Sequence, residues 1–304
     1  MARPENKVIF ADLAMLFIAI FWGSGYGVSH MLLRHMTPLW LISFRFFFSS
    51  ILVMMVFRKR LTLLTRKDMF LACLGGVILS GVFISHILGL AITTPGKQSF
   101  IQCVHVVMVP VFYALFYRRS PGLLNLLGAV ITTAGLLVMA FTPDMSFNAG
   151  DLLSLVLALF IALHVLAVGN FCRRMDPLGL GVVQFLSASF IIIIFALISE
   201  PLPKMGDLTF NFWVGFSYVV VMVTVIPFLI QPMAQRYSPD THAAILMATE
   251  GLWGYFIAVV MGEETLNSQV LLGGIVIFIG VMLVESQMFL RRNIEEKDLN
   301  IDKM

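Results

Sequence analysis

Met36-Thr37-Pro38-Leu39 recurs as Met175-Asp176-Pro177-Leu178, 139 residues further along the chain. The same offset aligns Asp12-Leu13 with Asp151-Leu152. Further on, Asn125-Leu126-Leu127-Gly128 resembles Gln269-Val270-Leu271-Leu272-Gly273 at an offset of 145, which also places Gly135 on Gly280. A six-residue insertion between the second and third helices of the second half reconciles the two offsets. Weak self-similarity over half a chain reads as an internal repeat.

The repeated units are apolar. Residues 8–28 read VIFADLAMLFIAIFWGSGYGV, interrupted only by Asp12 and small polar side chains. At about 1.5 Å per residue, a helix of that length crosses a hydrocarbon core of about 30 Å. Of the 304 residues 59% are hydrophobic and 12% charged, against about 25% charged in a soluble domain. Too little polar surface remains to face water. The net charge of +3 gives no argument for nucleic acid. Cys73, Cys103 and Cys172 show no spacing that suggests a disulfide or a zinc site. Abundant Met and Phe are ordinary filler for lipid-facing helices. The first run is read as a retained helix, not a cleaved signal, from its length and the runs that follow.

Runs bounded by charge, Pro or Gly give ten expected spans: 8–28, 39–57, 69–92, 98–117, 123–141, 152–171, 178–199, 210–230, 242–261 and 270–290. One set of alternate loops holds Arg3, Lys7, Arg58, Lys59, Arg60, Arg66, Lys67, Arg118, Arg119, Arg173, Arg174, Arg236, Arg291, Arg292, Lys297 and Lys303. The other holds Arg34, Lys97 and Lys204, and Arg45 lies inside a span. The positive side is cytoplasmic, so both termini are expected there, in a multi-pass protein of the cytoplasmic (inner) membrane.

Five spans per unit is an odd number, so the second unit enters the membrane upside down. The expected fold is all-α and membrane-embedded, with ten transmembrane helices as two inverted five-helix repeats. The first covers 8–142, the second 150–290, and a charged cytoplasmic tail spans 291–304. Inverted repeats recur in secondary transporters, where two similar units in opposite senses offer two nearly equivalent packings.

At this point the sequence resembles a known family. Trp22-Gly23-Ser24-Gly25, Phe44-Arg45-Phe46, Leu88-Gly89-Leu90-Ala91-Ile92-Thr93-Thr94 and Val109-Pro110 stand in the first half. Gly150-Asp151-Leu152, Met261-Gly262-Glu263, Leu272-Gly273-Gly274-Ile275 and Ile279-Gly280-Val281 stand in the second. In order and spacing these resemble the EamA branch of the drug/metabolite transporter superfamily, over about residues 8–290. The resemblance implies a small-molecule transporter. It departs from the family pattern at Arg118 and Arg119, where an acidic residue is common, and at Tyr255, which matches Pro110 but is not proline.

Ionisable groups are costly in lipid and mark candidate sites. Glu250 sits near the middle of the ninth span, and at the 145 offset it aligns with His105 in the fourth. Matched positions of an inverted repeat fall on opposite sides of one central axis, so the two are expected to share a cavity. A carboxylate can pair with an amine or release a proton, and a histidine titrates near neutrality and can share it. Glu250 and His105 are therefore the candidates for proton coupling. Trp253, three residues on from Glu250, offers an aromatic face to a cation. Arg45 suits a carboxylate or phosphate, or else snorkels or holds a neighbouring helix; its repeat mate is Gln184. His86 and Gln231 form a third matched pair, and Gln102 lies one turn from His105. Trp22 and Tyr26 flank a glycine-rich stretch able to bend or pack closely. Trp22, Tyr26, Arg45, His86, Gln102, His105, Gln184, Gln231, Glu250 and Trp253 are thus the expected substrate-binding set. His164 is a lesser candidate, and Glu285 is read as solvated or paired with Arg291 or Arg292.

No cluster of carboxylates or histidines at ligand spacing, no phosphate-cradling glycine loop and no filter sequence stands in the chain. An enzyme, a metalloprotein, a channel or a scramblase is therefore less well supported than a transporter, and no cofactor is called for. The expected partners are the lipid bilayer and a small metabolite, with no nucleic acid; the oligomeric state is not written in the sequence. Arg45 with Glu250 and His105 suggests an amphoteric metabolite such as an amino acid. Glu250 with Trp253 and Trp22 suits an amine or quaternary ammonium compound, and the sequence leaves both open.

Overall fold

Proline at the first helical position is preorganised, because its fixed φ suits the first turn and its missing N–H would have had no partner there. Both copies of the recurring tetrapeptide are such starts. Thr37 and Asp176 are extended N-cap residues, and Pro38 and Pro177 open the helices that follow. Asp176 adds a side-chain cap, accepting from Gly179 N at 2.8 Å. Thr65 with Asp68, and Asn148 with Asp151, form reciprocal capping boxes at two more starts.

The computed structural model describes residues 4–118, 122–140, 148–203, 208–238, 240–280 and 282–283. Its helices are α1 (Pro4–Leu32), α2 (Pro38–Phe57), α3 (Arg66–Leu90), α4 (Pro95–Ile101), α5 (His105–Tyr117), α6 (Leu123–Ala140), α7 (Ala149–Phe171), α8 (Pro177–Ser199), α9 (Phe210–Tyr218), α10 (Ile226–Gln235), α11 (Asp240–Ala248), α12 (Glu250–Val260) and α13 (Ser268–Gly280). No strand occurs among the described residues. Seven apolar helical stretches are long enough to cross a membrane: Val8–Leu32, Pro38–Leu63, Arg66–Leu90, Pro95–Phe116, Ala149–Phe171, Pro177–Ser199 and Phe210–Gln235. Three further apolar helices are shorter, at Leu126–Gly135, Leu246–Val260 and Ser268–Gly280. Phe141, Lys204, Glu285 and the tail 291–304 lie outside the described residues.

Two stretches expected as single helices are broken near their middles. Between α4 and α5 the chain tightens into a 3₁₀ turn at Gln102–Val104, where the His105 ring donates from Nδ1 to Gln102 O at 2.8 Å. Between α11 and α12 the break falls at Thr249, whose hydroxyl donates back to Leu246 O at 2.8 Å. A side chain bonding a carbonyl three residues back competes with the helical ladder and bends it. A third irregularity is a π-helical segment, Val219–Val225, between α9 and α10.

The outside of the bundle is apolar: Phe10, Phe70, Phe190, Ile198 and Val260 are exposed. Polar side chains, among them Arg45, Gln102, His105, Gln231 and Glu250, are buried inside. This is the reverse of a soluble domain and fits a protein whose solvent is lipid.

Residues related by the two offsets meet one another. Phe46 touches Phe185, 139 residues on, with ring centroids 5.7 Å apart. Phe83 touches Phe228, 145 residues on, at 5.4 Å. Cys103 Sγ donates to Ala248 O, again 145 residues on, at 3.3 Å. The last helix of each half packs reciprocally. A Cβ on Gly135 would come within 2.6 Å of Gly273 O, and one on Gly280 within 2.8 Å of Gly128 O. Backbone atoms cannot swing aside, so each position admits only hydrogen. Gly135→Ala and Gly280→Ala should therefore each destabilise the fold, by about 1–3 kcal/mol, and by nearly equal amounts because the contacts mirror each other. Melting of the detergent-solubilised variants tests this; a loss at one position and none at the other would show the packing is not reciprocal.

Candidate functional site

A cavity opens where the broken helices meet. It encloses about 640 Å³ of space free of atoms, part of it open to solvent. Eight of the ten expected binding residues line it: Trp22, Tyr26, Arg45, His86, Gln102, His105, Gln231 and Glu250. Two do not. Gln184 is buried behind His164, its Oε1 3.4 Å from the ring Nε2, and packs against Gly75. Trp253 stands partly exposed on the outside of α12, its Cβ against Gly23. A spacing of three residues turns a helix by about 300°, and the remaining 60° points Trp253 at α1 instead of the cavity. His164 does line the cavity.

Phe83, Phe228, Val82, Leu157, Ile161 and Val223 line it too, with no polar chemistry to mark them in a sequence. The 145 offset relates Phe83 to Phe228, and that signal was available. Phe228 is the hub of the aromatic wall, 5.0 Å from Trp22 and 6.1 Å from His164.

Arg45 is almost wholly buried. Its Nε donates to the Thr224 hydroxyl, and its guanidinium lies over the Phe83 ring, 5.1 Å from the centroid. Thr224 in turn donates to Val219 O at 2.7 Å, five residues back. The π-helical segment thus turns Thr224 towards the arginine, in keeping with the habit of π-bulges to occur at functional sites. Glu250, at the first turn of α12, accepts from Gln102 Nε2. Among the described residues no carboxylate pairs with Arg45 and no cation pairs with Glu250. Tyr26 lies within electrostatic reach of both charges and packs edge-on to His86 at 5.0 Å.

His105 ties the two breaks together. Its Nδ1 faces Gln102 O at 2.8 Å and its Nε2 faces Ala244 O at 3.2 Å. Neutral imidazole donates from one nitrogen, imidazolium from both, so one of these carbonyls is served only when the ring is charged.

Acidic residues of the second half clamp the first half at the end of the bundle where α1 finishes and α2 begins. Glu263 accepts from Arg34 at 2.6 Å and from His30 at 2.8 Å. Asp151 accepts from Lys97 at 2.6 Å and from Thr93 at 2.9 Å. Glu200 accepts from Leu39 N and Trp40 N, at 3.1 and 3.3 Å, which satisfies two orphan donors at the start of α2. Glu264 accepts from the Thr94 hydroxyl and Gly96 N. At the opposite end Arg60 meets Asp176 at 3.4 Å with its side chain half exposed.

Burial pushes the Glu264 carboxyl above the usual carboxylate range; Thr94, Gly96 and His30 act in the opposite sense and do not overcome it. A raised native pKa means the folded state holds the proton more tightly than the unfolded chain. The contribution favours the fold at low pH and is lost as pH rises through the native value. Glu264→Gln should therefore flatten the melting-temperature profile above about pH 4.5, measured in detergent. An unchanged pH slope would show that another group sets it.

The chain matches the EamA-like transporter family over residues 9–141 and 148–286. It is 25% identical over 284 residues to an uncharacterized transporter of Archaeoglobus fulgidus, covering 91% of this chain and 86% of that protein. A solved crystal structure of a protein at 16% identity superposes with a TM-score of 0.74, covering 93% of this chain and 98% of that one. That likeness speaks for the fold alone. The family match takes in both repeats and the residues around the cavity, so this chain belongs to the EamA-like transporter family.

Proposed function

We propose that the protein is a secondary transporter carrying a small amino-acid-like zwitterion across the cytoplasmic membrane by alternating access. One observation carries this reading: the same cavity holds a buried cation, Arg45, and a buried carboxylate, Glu250, with no ion pair between them or to any other described charge. Uncompensated buried charge is expensive. A substrate with a carboxylate and an ammonium group compensates both at once. An organic cation would relieve Glu250 but face Arg45, and Trp253 lies outside the cavity, so the cation reading has less support.

The fold we propose is ten transmembrane helices in two inverted five-helix repeats. The seven long and three short apolar helices support the count. The self-meeting pairs Phe46–Phe185, Phe83–Phe228 and Cys103–Ala248, with the reciprocal Gly135 and Gly280 contacts, are what a pseudo-twofold axis requires. If the termini are cytoplasmic, the acidic clamp faces outward, and its bonds support the reading of a state closed on the outside. Exchange of the two halves' conformations would open that side. Proton coupling rests on Glu250 and on His105, whose two carbonyl partners are both served only by the protonated ring.

The test is counterflow and pH-gradient-driven uptake of labelled amino acids in proteoliposomes. Glu250→Gln keeps the polar contact with Gln102 and should abolish uptake at normal folding. Arg45→Gln should lower it about a hundredfold or more, through the carboxylate end. His105→Gln should retain counterflow while losing the response to a pH gradient. Wild-type uptake by Glu250→Gln would sink the central-site reading, and full uptake by Arg45→Gln would shift it to cations.

A further inference from the structure

Gln231 is 1% exposed, yet its amide makes no hydrogen bond within the described residues, and its Oε1 is sealed from solvent. The Trp22 indole Nε1 is likewise buried without a partner. Both residues line the cavity and both flank Phe228. Trp22 packs on the Phe228 ring at 5.0 Å, and Gln231 follows Phe228 by one turn of α10. The Phe83–Phe228 pair connects this corner to Arg45, which lies over Phe83. The two unmet polar groups therefore sit across an aromatic pair from the arginine. Buried polar groups in native proteins are bonded with few exceptions, and an exception calls for an explanation.

We infer that Trp22 and Gln231 form a side-chain subsite that selects amino acids with a neutral hydrogen-bonding side chain, a hydroxyl or a carboxamide. The inference rests on the zwitterion reading, which assigns the α-carboxylate to Arg45 and the α-ammonium to Glu250. What remains is one indole donor and one amide, able both to donate and to accept. The cavity rings nearest Phe228 are Trp22, Phe83 and His164, and none of them is a carboxylate, ammonium or guanidinium that would balance a charged side chain. A hydroxyl or amide that reaches this corner gives the indole and the Gln231 amide a partner, whereas an apolar side chain leaves them unpaired. A site built to hydrogen-bond its ligand rejects the analogue that lacks the group far more strongly than an apolar pocket rejects an added methylene.

The experiment is calorimetric binding to the purified full chain in detergent, with near-isosteric pairs: threonine against valine, and asparagine against leucine. Threoninol and N-acetylthreonine accompany them, each lacking one end of the zwitterion. The wild-type protein should bind at least one polar member tenfold or more tightly than its apolar partner. Gln231→Leu should erase that preference by weakening the polar member while keeping or improving the apolar one, and Trp22→Phe should reduce it. Retained binding of valine or leucine reports that a variant is folded. If the wild type binds both members of each pair within twofold, the subsite is overturned while the zwitterion reading stands. Threoninol binding as tightly as threonine, or no amino acid binding at all, overturns the zwitterion reading and the subsite with it.

Discussion

A hydrocarbon solvent offers no hydrogen bonds, so each polar group in this chain must find its partner inside the bundle or face a cavity. The rest of the structure depends on that constraint. It leaves Phe10, Phe70, Phe190 and Ile198 facing outward and gathers Arg45, Gln102, His105, Gln231 and Glu250 within. It also explains why the helix breaks at Gln102–Val104 and Thr249 are tolerated. Side chains of the first broken stretch stand within hydrogen-bond reach of carbonyls around the second: His105 of Ala244 O, Cys103 of Ala248 O, and Ser99 of Gly251 O. Two weakened ladders become a cross-linked pair of half-helices. Broken helices near the middle of a membrane are affordable only where such partners or a cavity exist, and here both do.

The seven long apolar helices were legible because hydropathy and charge are collective signals. A run such as 8–28 has one charged residue in twenty-one positions, and no local accident overturns that. The repeat was legible through its helix starts, where Pro38 and Pro177 are chemically required in the same place. Eight cavity residues were legible because buried polarity in an apolar chain is conspicuous. The breaks were not, since they depend on whether His105 and Thr249 bond their own backbone or look elsewhere, and composition does not decide between those. Trp253 and Gln184 were misplaced for a related reason. Helical spacing gives a direction to within about 60°, and the neighbour that fills the gap, Gly23 for one and His164 for the other, is set by tertiary packing. The phenylalanine wall carried no polar mark and emerges only when the offsets are laid on the contacts.

The pseudo-symmetry is close in packing and broken in chemistry. Phe83 and Phe228 are alike and touch; His105 and Glu250 occupy matched positions but differ in charge, and Arg45 is matched by an uncharged Gln184. Such a division is what the proposed carrier of a two-ended substrate would need. Packing residues must be similar if the two halves are to exchange conformations at little cost. Binding residues must differ if one ligand is to be held in one orientation.

The same logic applies to the clamp. All four acceptors, Asp151, Glu200, Glu263 and Glu264, come from the second half, and all their cross-half donors come from the first. In the alternating-access cycle proposed above, apolar packing alone would not serve at this end, because the same surfaces would have to part and be wetted within one cycle. Charged and capping bonds suit the purpose. They hold the halves together when desolvated, and water replaces them bond for bond when the halves separate, so the difference between closed and open stays within a few kcal/mol. An apolar seal of similar strength would lose its contacts to water with no replacement. On that proposal the acidic clamp would let the two halves part reversibly at the rim while the contacts around Arg45 and Glu250 persist.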